Sequence, residues 1–201
     1  MERGKLLVIS GPSGVGKSTA IKELLSRHPD MFFSISATTR GMRESDVDGV
    51  TYWFKTREEF SSMVDADAFY EHAEYAGNCY GTPREPVENS LARGIDVVLD
   101  IEVQGALQVR KKCPEAVLIF LVAPSFAQLE QRLRGRGDTS AADIEKRLDK
   151  ARWEYSQAEQ YDYIVVSDTP TRTVNDIDSI LSAEKLRAAY RKELLKMEES
   201  L

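Results

Sequence analysis

Residues 5–18 read KLLVISGPSGVGKS, an apolar run that breaks into a glycine-rich turn and ends on lysine and serine. From Ser18 to His28 the sequence reads STAIKELLSRH and places Ile21, Leu24 and Leu25 at helical spacing. The stretch therefore predicts a strand, a tight loop and a helix in that order. The loop matches the pattern of glycine, four residues, glycine, lysine and serine, in the strand-to-helix context that a phosphate-binding loop requires. Its glycines let backbone N–H groups turn inward around phosphate oxygens at a helix N-terminus. The expected nucleotide contacts run through Gly11, Pro12, Ser13, Gly14, Val15, Gly16, Lys17, Ser18 and Thr19. Lys17 would reach the β and γ phosphates, and the Ser18 hydroxyl would hold Mg²⁺.

Working outward, IDVVLDI (95–101), AVLIFLVA (116–123) and DYIVVS (162–167) are continuous apolar runs, as expected of parallel strands buried on both faces. Helical stretches separate them. One spans 103–112 and stops before Pro114, a second begins near Ser125, and a third opens at Ser140 with Asp143 three residues on. The fold class expected is α/β, a parallel core sheet flanked by helices. Residues 33–85 interrupt that rhythm with aromatic-rich strand candidates, VTYWFK and AFYEHAEYA, around a helix announced by Thr56 and Glu59. They read as an inserted mixed α/β module. The segment RLRGRGDTS (132–140) is a second interruption between two helices, whose glycines suit movement of the stretch of about 125–161. The core is then 1–32, 86–124 and 162–201, the last of these helical and charged from Thr173 on.

Composition narrows the class of partner. The 201 residues are 42% hydrophobic and carry a net charge of −6, enough apolar content for one sizeable core and no general basic surface for nucleic acid. Cys79 and Cys113 lack metal-ligand spacing, and no run approaches the roughly 20 apolar residues of a membrane span. The start, MERGKLLVIS, has too short an apolar run for a signal peptide. The expectation is a soluble protein of the reducing cytoplasm, with no membrane or nucleic-acid partner. Nothing in the sequence requires or excludes a homo-oligomer.

The loop identifies a phosphoryl donor and leaves the acceptor open. No guanine-reading Asn-Lys-x-Asp segment of a regulatory GTPase occurs, and the chain is short for a motor, which favours a kinase. If the acceptor is itself a phosphate monoester, its oxygen is largely anionic at neutral pH and needs no general base. The two histidines, His28 and His72, accordingly read as structural. Arginines cluster on the two interruptions: Arg40 and Arg43 on the first, Arg132, Arg136 and Arg147 around the second. Guanidinium groups offer phosphate rigid, bidentate donors. Arg132 and Arg136 would share a helical face if the helix runs that far.

GPSGVGKS, SATTRGMR (36–43), DGVTYWF (48–54), YEHAEYAGNCYGT (70–82), VVLDIEVQG (97–105) and RLRGRG (132–137) occur in the order seen in guanylate kinases. The chain resembles that family over nearly its full length. The resemblance implies a phosphate-loop nucleoside-monophosphate-kinase fold with a GMP-binding insertion and an arginine-bearing lid. It also implies transfer of the γ-phosphate of ATP to GMP or dGMP, with Mg²⁺ as cofactor. Carried over by position, Ser36, Arg40, Arg43, Asp46, Tyr52 and Tyr80 would hold the GMP phosphate or the loop around it. Glu71, Thr82 and Asp100 would lie near the base. Lys17, Arg40, Arg132, Arg136 and Arg147 would serve the transferring phosphates.

Guanine makes that assignment chemically sensible. A carboxylate at Glu71 can accept from N1–H and N2–H₂ while a Thr82 hydroxyl donates to O6. Adenine would set a lone pair against the carboxylate. From the residues alone, Glu71 reads rather as a solvated strand carboxylate. Asp100 and Glu102, two apart at a strand end, both suit orientation of the metal or its water shell, and capping of the next helix remains the other reading. Asp46 and Thr82 stand where relatives often have glutamate and serine and keep the functional group. Cys79 and Ser167 stand where tyrosine and asparagine are frequent, so no role carries to them. Two rivals remain: a protein-binding module on the same fold, against which Lys17 and Ser18 argue, and a kinase of the same architecture with another acceptor.

Overall fold

In the computed structural model of the chain, which describes residues 3–75, 77–135, 140–192 and 194, the run after Lys5 becomes β1 (Leu6–Ser10), buried throughout. It is the centre of a five-stranded parallel sheet. Short β2 (Phe32–Phe33) and β9 (Tyr163–Val166) form the edges, and β7 (Val97–Asp100) and β8 (Val117–Val122) flank β1, giving the order β2-β7-β1-β8-β9. The register sets Ile9 beside Asp100 on one side and Ile119 on the other. The loop after β1 and the end of β7 therefore emerge together at the carboxyl edge, where open α/β sheets bind ligands.

Period-two alternation divides the core. Leu7 and Ile9 join a cluster with α1 (Lys17–Arg27), α5 (Phe126–Arg134), α6 (Ala141–Ser156) and α7 (Pro170–Lys185). Leu6 and Val8 join the opposite cluster with α3 (Arg84–Ala92) and α4 (Val103–Lys112). Both faces being apolar explains the unbroken hydrophobic runs. The run at 162–167 departs from that expectation, since Ile164 and Val166 are 57% and 45% exposed. As the edge strand, β9 is covered on one face.

A second sheet lies within residues 37–83. Its strands β3 (Ala37–Thr38), β4 (Trp53–Phe54), β5 (Phe69–Tyr75) and β6 (Asn78–Pro83) are ordered β4-β3-β6-β5. Helix α2 (Arg57–Asp65) packs on it, begun by a full Thr56–Glu59 capping box and anchored by Phe60 stacked on Phe69 at 4.6 Å. The strand expected over 50–55 forms only at Trp53–Phe54. Upstream, Gly49 takes a positive φ of 74° and the Asp48 carboxylate accepts from Phe54 N–H, so turn chemistry displaces the ladder.

Helix α6 starts where expected, with the Ser140 hydroxyl accepting from Asp143 N–H. Helix α5 ends at Arg134 with Gly135 following. Arg136 lies outside the described residues. Helix α7 closes at Lys185, before a short 3-10 turn over Ala188–Tyr190. Among the described residues no helix is long and apolar enough to cross a membrane.

Candidate active site

Helix α1 opens at Gly16, whose φ of 106° is left-handed, and no side chain caps its first turn. Its leading N–H donors face a cavity of about 330 Å³ lined by Gly11–Gly14, Gly16–Thr19, Glu102, Arg147, Lys150 and Glu154. Val15, the remaining loop residue, is fully buried and packs into the core instead. Lys17 Nζ lies 3.1 Å from Asp100 Oδ1. The loop lysine and the end of β7 are thus joined through the β1–β7 register.

A second cavity, also about 330 Å³, adjoins the first and shares Glu102 with it. Ser36, Tyr52, Glu71, Tyr80 and Asp100 line it, together with Ala73, Tyr75, Ile101, Gln104 and Gly105. Glu71 is only 6% exposed, which removes the reading of a solvated strand carboxylate. It stands opposite Thr82 in the β5–β6 ladder, past an irregularity between Phe69 and Glu71. The Thr82 hydroxyl donates to Glu71 Oε1 at 2.6 Å. Burial pushes the Glu71 carboxyl above its ordinary range, and the Thr82 hydrogen bonds oppose that push.

The first arginine cluster is built on Asp46. Its carboxylate lies 2.8 Å from Arg40 Nη2 and accepts from Arg43 N–H at 2.7 Å. The Arg43 N–H, and then the Arg40 guanidinium, hold the Asp46 carboxyl below the usual carboxylate range. Arg40 also stands 5.3 Å from the Tyr52 ring centroid, and Tyr52 meets Tyr80 edge-to-face at 6.0 Å. These contacts tie the loop arginine to the rim of the second cavity, and Arg43 is left exposed on the same loop.

The second cluster is dispersed. Arg147 faces the phosphate-loop cavity from α6. Arg132 does not join it: its guanidinium donates to the carbonyls of Val15 at 2.8 Å and Ser167 at 3.0 Å. There it lines a third cavity with Gly14, Gly16, Thr19 and Pro170. In the free protein the Arg132 guanidinium thus braces the loop backbone, since two carbonyls lie within reach of one planar fork.

Three residues escaped the sequence reading. Lys150 and Glu154 share the inward face of α6 with Arg147 at spacings of three and seven, a signal available once Ser140 is taken as the helix start. Lys150 pairs with Glu102 at 2.9 Å. Glu154 is buried, and burial raises its carboxyl pKa. Gly105, in the first turn of α4, packs against Glu71. His28 bonds Asp178 at 2.7 Å and His72 uses its backbone to bond Gln108, and neither lines the phosphate-loop cavity.

Hard oxygen donors suit Mg²⁺, which takes one or two protein oxygens and fills its remaining positions with phosphate and water. The Ser18 hydroxyl and the Glu102 carboxylate on the phosphate-loop cavity, with Asp100 beside Lys17, fit that requirement. No cluster of three or more His, Cys, Asp or Glu side chains suited to a metal occurs among the described residues.

Comparison with known proteins agrees with this geometry. The guanylate kinase family model matches residues 3–184. A guanylate kinase of Thermus thermophilus is 51% identical over 195 residues, covering 97% of this chain and 88% of the relative. One from a Synechococcus species is 48% identical over 179 residues, covering 89% and 82%. The crystal structure of guanylate kinase from Anaplasma phagocytophilum superposes with a TM-score of 0.77 at 32% identity, covering 100% of this chain and 97% of that one.

Proposed function

Since the chain belongs to the guanylate kinase family, we propose that it transfers the γ-phosphate of ATP to GMP, giving ADP and GDP. The observation that carries this reading is the pair of adjoining cavities sharing Glu102, one built on the phosphate loop and the other on the buried Glu71–Thr82 pair. The first supplies donors for a triphosphate and the second supplies an acceptor for guanine N1–H and N2–H₂. In the free protein the Thr82 hydrogen is directed at Glu71, so donation to O6 requires that hydroxyl to turn when the base enters.

In this reading Arg40, Arg43, Ser36, Tyr52 and Tyr80 hold the GMP phosphate, with Asp46 aligning Arg40. An anionic oxygen of that phosphate attacks the γ-phosphorus in line, and the bond from phosphorus to the β–γ bridging oxygen breaks. No proton has to move, which agrees with the absence of any role for the two histidines. Lys17 and Arg147 stabilise the charge on the transferring group, and the loop N–H groups hold the β-phosphate. Bound Mg²⁺ would be held by Ser18 and, through water, by Asp100 or Glu102, and would neutralise phosphate charge. The insertion of about 33–85 closes on GMP and the segment of about 125–161 closes on ATP, so water is excluded only when both sites are filled. Two free thiols, Cys79 and Cys113, suit a cytoplasmic setting.

The test is ADP formation from ATP and Mg²⁺ with GMP, AMP, CMP and UMP offered in parallel and Lys17→Ala as control. Turnover with GMP, abolished in the variant and slow without an acceptor, is the expected result. Preference for another monophosphate overturns the reading of the base cavity, and GMP binding without turnover replaces the kinase by a binding module.

A further inference from the structure

Helix α4 carries glycine at position 105, in its first turn, where alanine would favour the helix. The residue is buried, and a β-carbon added to it would lie 2.8 Å from Glu71 Oε2, 3.1 Å from its Cδ and 3.2 Å from its Cγ. The Glu71 carboxyl group therefore rests directly on the α4 backbone. A glutamate tip usually swings away from such crowding, but this one is confined on its other sides.

Glu71 Oε1 is held by the Thr82 hydroxyl at 2.6 Å. The strand that carries it is tied to α4 by Gln108, whose Oε1 accepts from His72 N–H at 3.2 Å and whose Nε2 donates to His72 O at 3.0 Å. One turn further, Lys112 donates to the Phe69 carbonyl at 2.7 Å. Gly105, Gln108 and Lys112 follow one another at helical spacing, so a single stripe of α4 grips β5 on both sides of Glu71. Strand retreat is blocked, and the open direction for the carboxylate is the cavity itself.

We propose that Gly105 is a positioning residue: by letting Glu71 lie back against α4, it sets the depth of the carboxylate and so the preference for guanine over bases that lack the N1–H and N2–H₂ pair. The inference rests on the reading of the second cavity as the GMP site. A side chain at 105 drives the carboxylate a few tenths of an ångström into the space the base must occupy, and a two-point contact loses more from that shift than a one-point contact. Hypoxanthine, which keeps N1–H and lacks the 2-amino group, makes the one-point contact.

The experiment is calorimetric titration of GMP and IMP into the parent chain, Gly105→Ala, Glu71→Ala and the double variant, without ATP, followed by steady-state kinetics. Gly105→Ala is expected to raise the Kd for GMP about tenfold and that for IMP less than about threefold, with kcat and the KM for ATP near the parent values. In the Glu71→Ala background the same change is expected to add less than about twofold, because the group it acts through is gone. Parent-like GMP affinity in Gly105→Ala overturns the proposal, as does a loss of equal size in both backgrounds, which marks a merely structural glycine. Gln108→Ala unties β5 without crowding the carboxylate and gives an independent reading. Its GMP Kd should rise about threefold with IMP little changed, and unchanged values for both overturn the proposal even if Gly105→Ala is not recovered folded. A parent chain that binds neither nucleotide overturns the assignment of the cavity, a result distinct from the failure of Gly105 alone.

Discussion

Lys17 and Asp100 meet at 3.1 Å across the boundary between the two cavities, the lysine on the phosphate-loop side and the aspartate on the side of Glu71. The contact exists because parallel register places Ile9, next to the end of β1, beside Asp100 at the end of β7, where the phosphate loop begins. It gives the protein a preset charge pair where donor and acceptor phosphates would meet. Lys17→Ala and Asp100→Asn are each expected to lower kcat by on the order of 10²–10³ while leaving the circular dichroism spectrum intact. The double variant should lose less than the product of the two, since the residues act as a unit. Fully multiplicative losses would mean that the pair is incidental.

Arg40 is held by Asp46 at 2.8 Å and by the Tyr52 ring face. Removing a charged donor from an anion generally costs about 1.5–3 kcal/mol, so Arg40→Ala should reduce kcat/KM for GMP about 10- to 100-fold with the KM for ATP near that of the parent. Asp46→Asn keeps one acceptor for the Arg43 N–H and should cost only a few-fold by the same reasoning. If Arg40→Ala leaves the GMP constants unchanged, the loop is solvated surface.

Arg132 supports the loop from beneath through Val15 and Ser167 carbonyls. Arg132→Ala is expected to destabilise the fold by about 2 kcal/mol, roughly 4–8 °C in Tm for a chain of this size. It should raise the KM for ATP more than that for GMP, because the brace lies under the donor loop. A variant with the parent Tm and a large loss in kcat alone would return Arg132 to direct contact with the transferring phosphate.

Burial raises the folded pKa of Glu71 above its ordinary value near 4.5. Between those two values the folded state binds more protons than the unfolded state, so stability falls as pH rises through that window. Ionised Glu71 therefore costs stability at neutral pH. Glu71→Gln should increase Tm at pH 8 and lose that advantage near pH 4, as read by thermal melts across the range, while weakening GMP binding. An equal change in Tm at both pH values would remove titration of Glu71 as the cause.

Several features could be read from neighbours in the chain. The phosphate loop, the helix begun at Ser140, the capping box of Thr56 and Glu59 and the doubly buried strands β1, β7 and β8 all follow from local backbone chemistry or from period-two and period-3.6 patterns. Where local turn chemistry competed, as at Asp48 and Gly49 before the short β4, the apolar run alone overstated the strand. The exposure of Ile164 and Val166 on β9 had no local signal, because edge and centre strands of a parallel sheet carry the same residues.

The amino-acid sequence by itself determined that the chain would fold as an α/β sheet around a phosphate loop, because a glycine-rich turn between an apolar strand and a helix has one stable arrangement. Only the tertiary structure decided what the other charged groups do. Register across β5 and β6 put Thr82 against Glu71, sheet order put Asp100 beside Lys17, and the packing of α4 on β5 set Gly105 against a buried carboxylate. Arg132 turned to the carbonyls under the loop for the same reason. Each of these meetings joins residues well separated in the chain, and a side chain's environment, hence its charge, aim and chemistry, is set by which distant segments are packed around it.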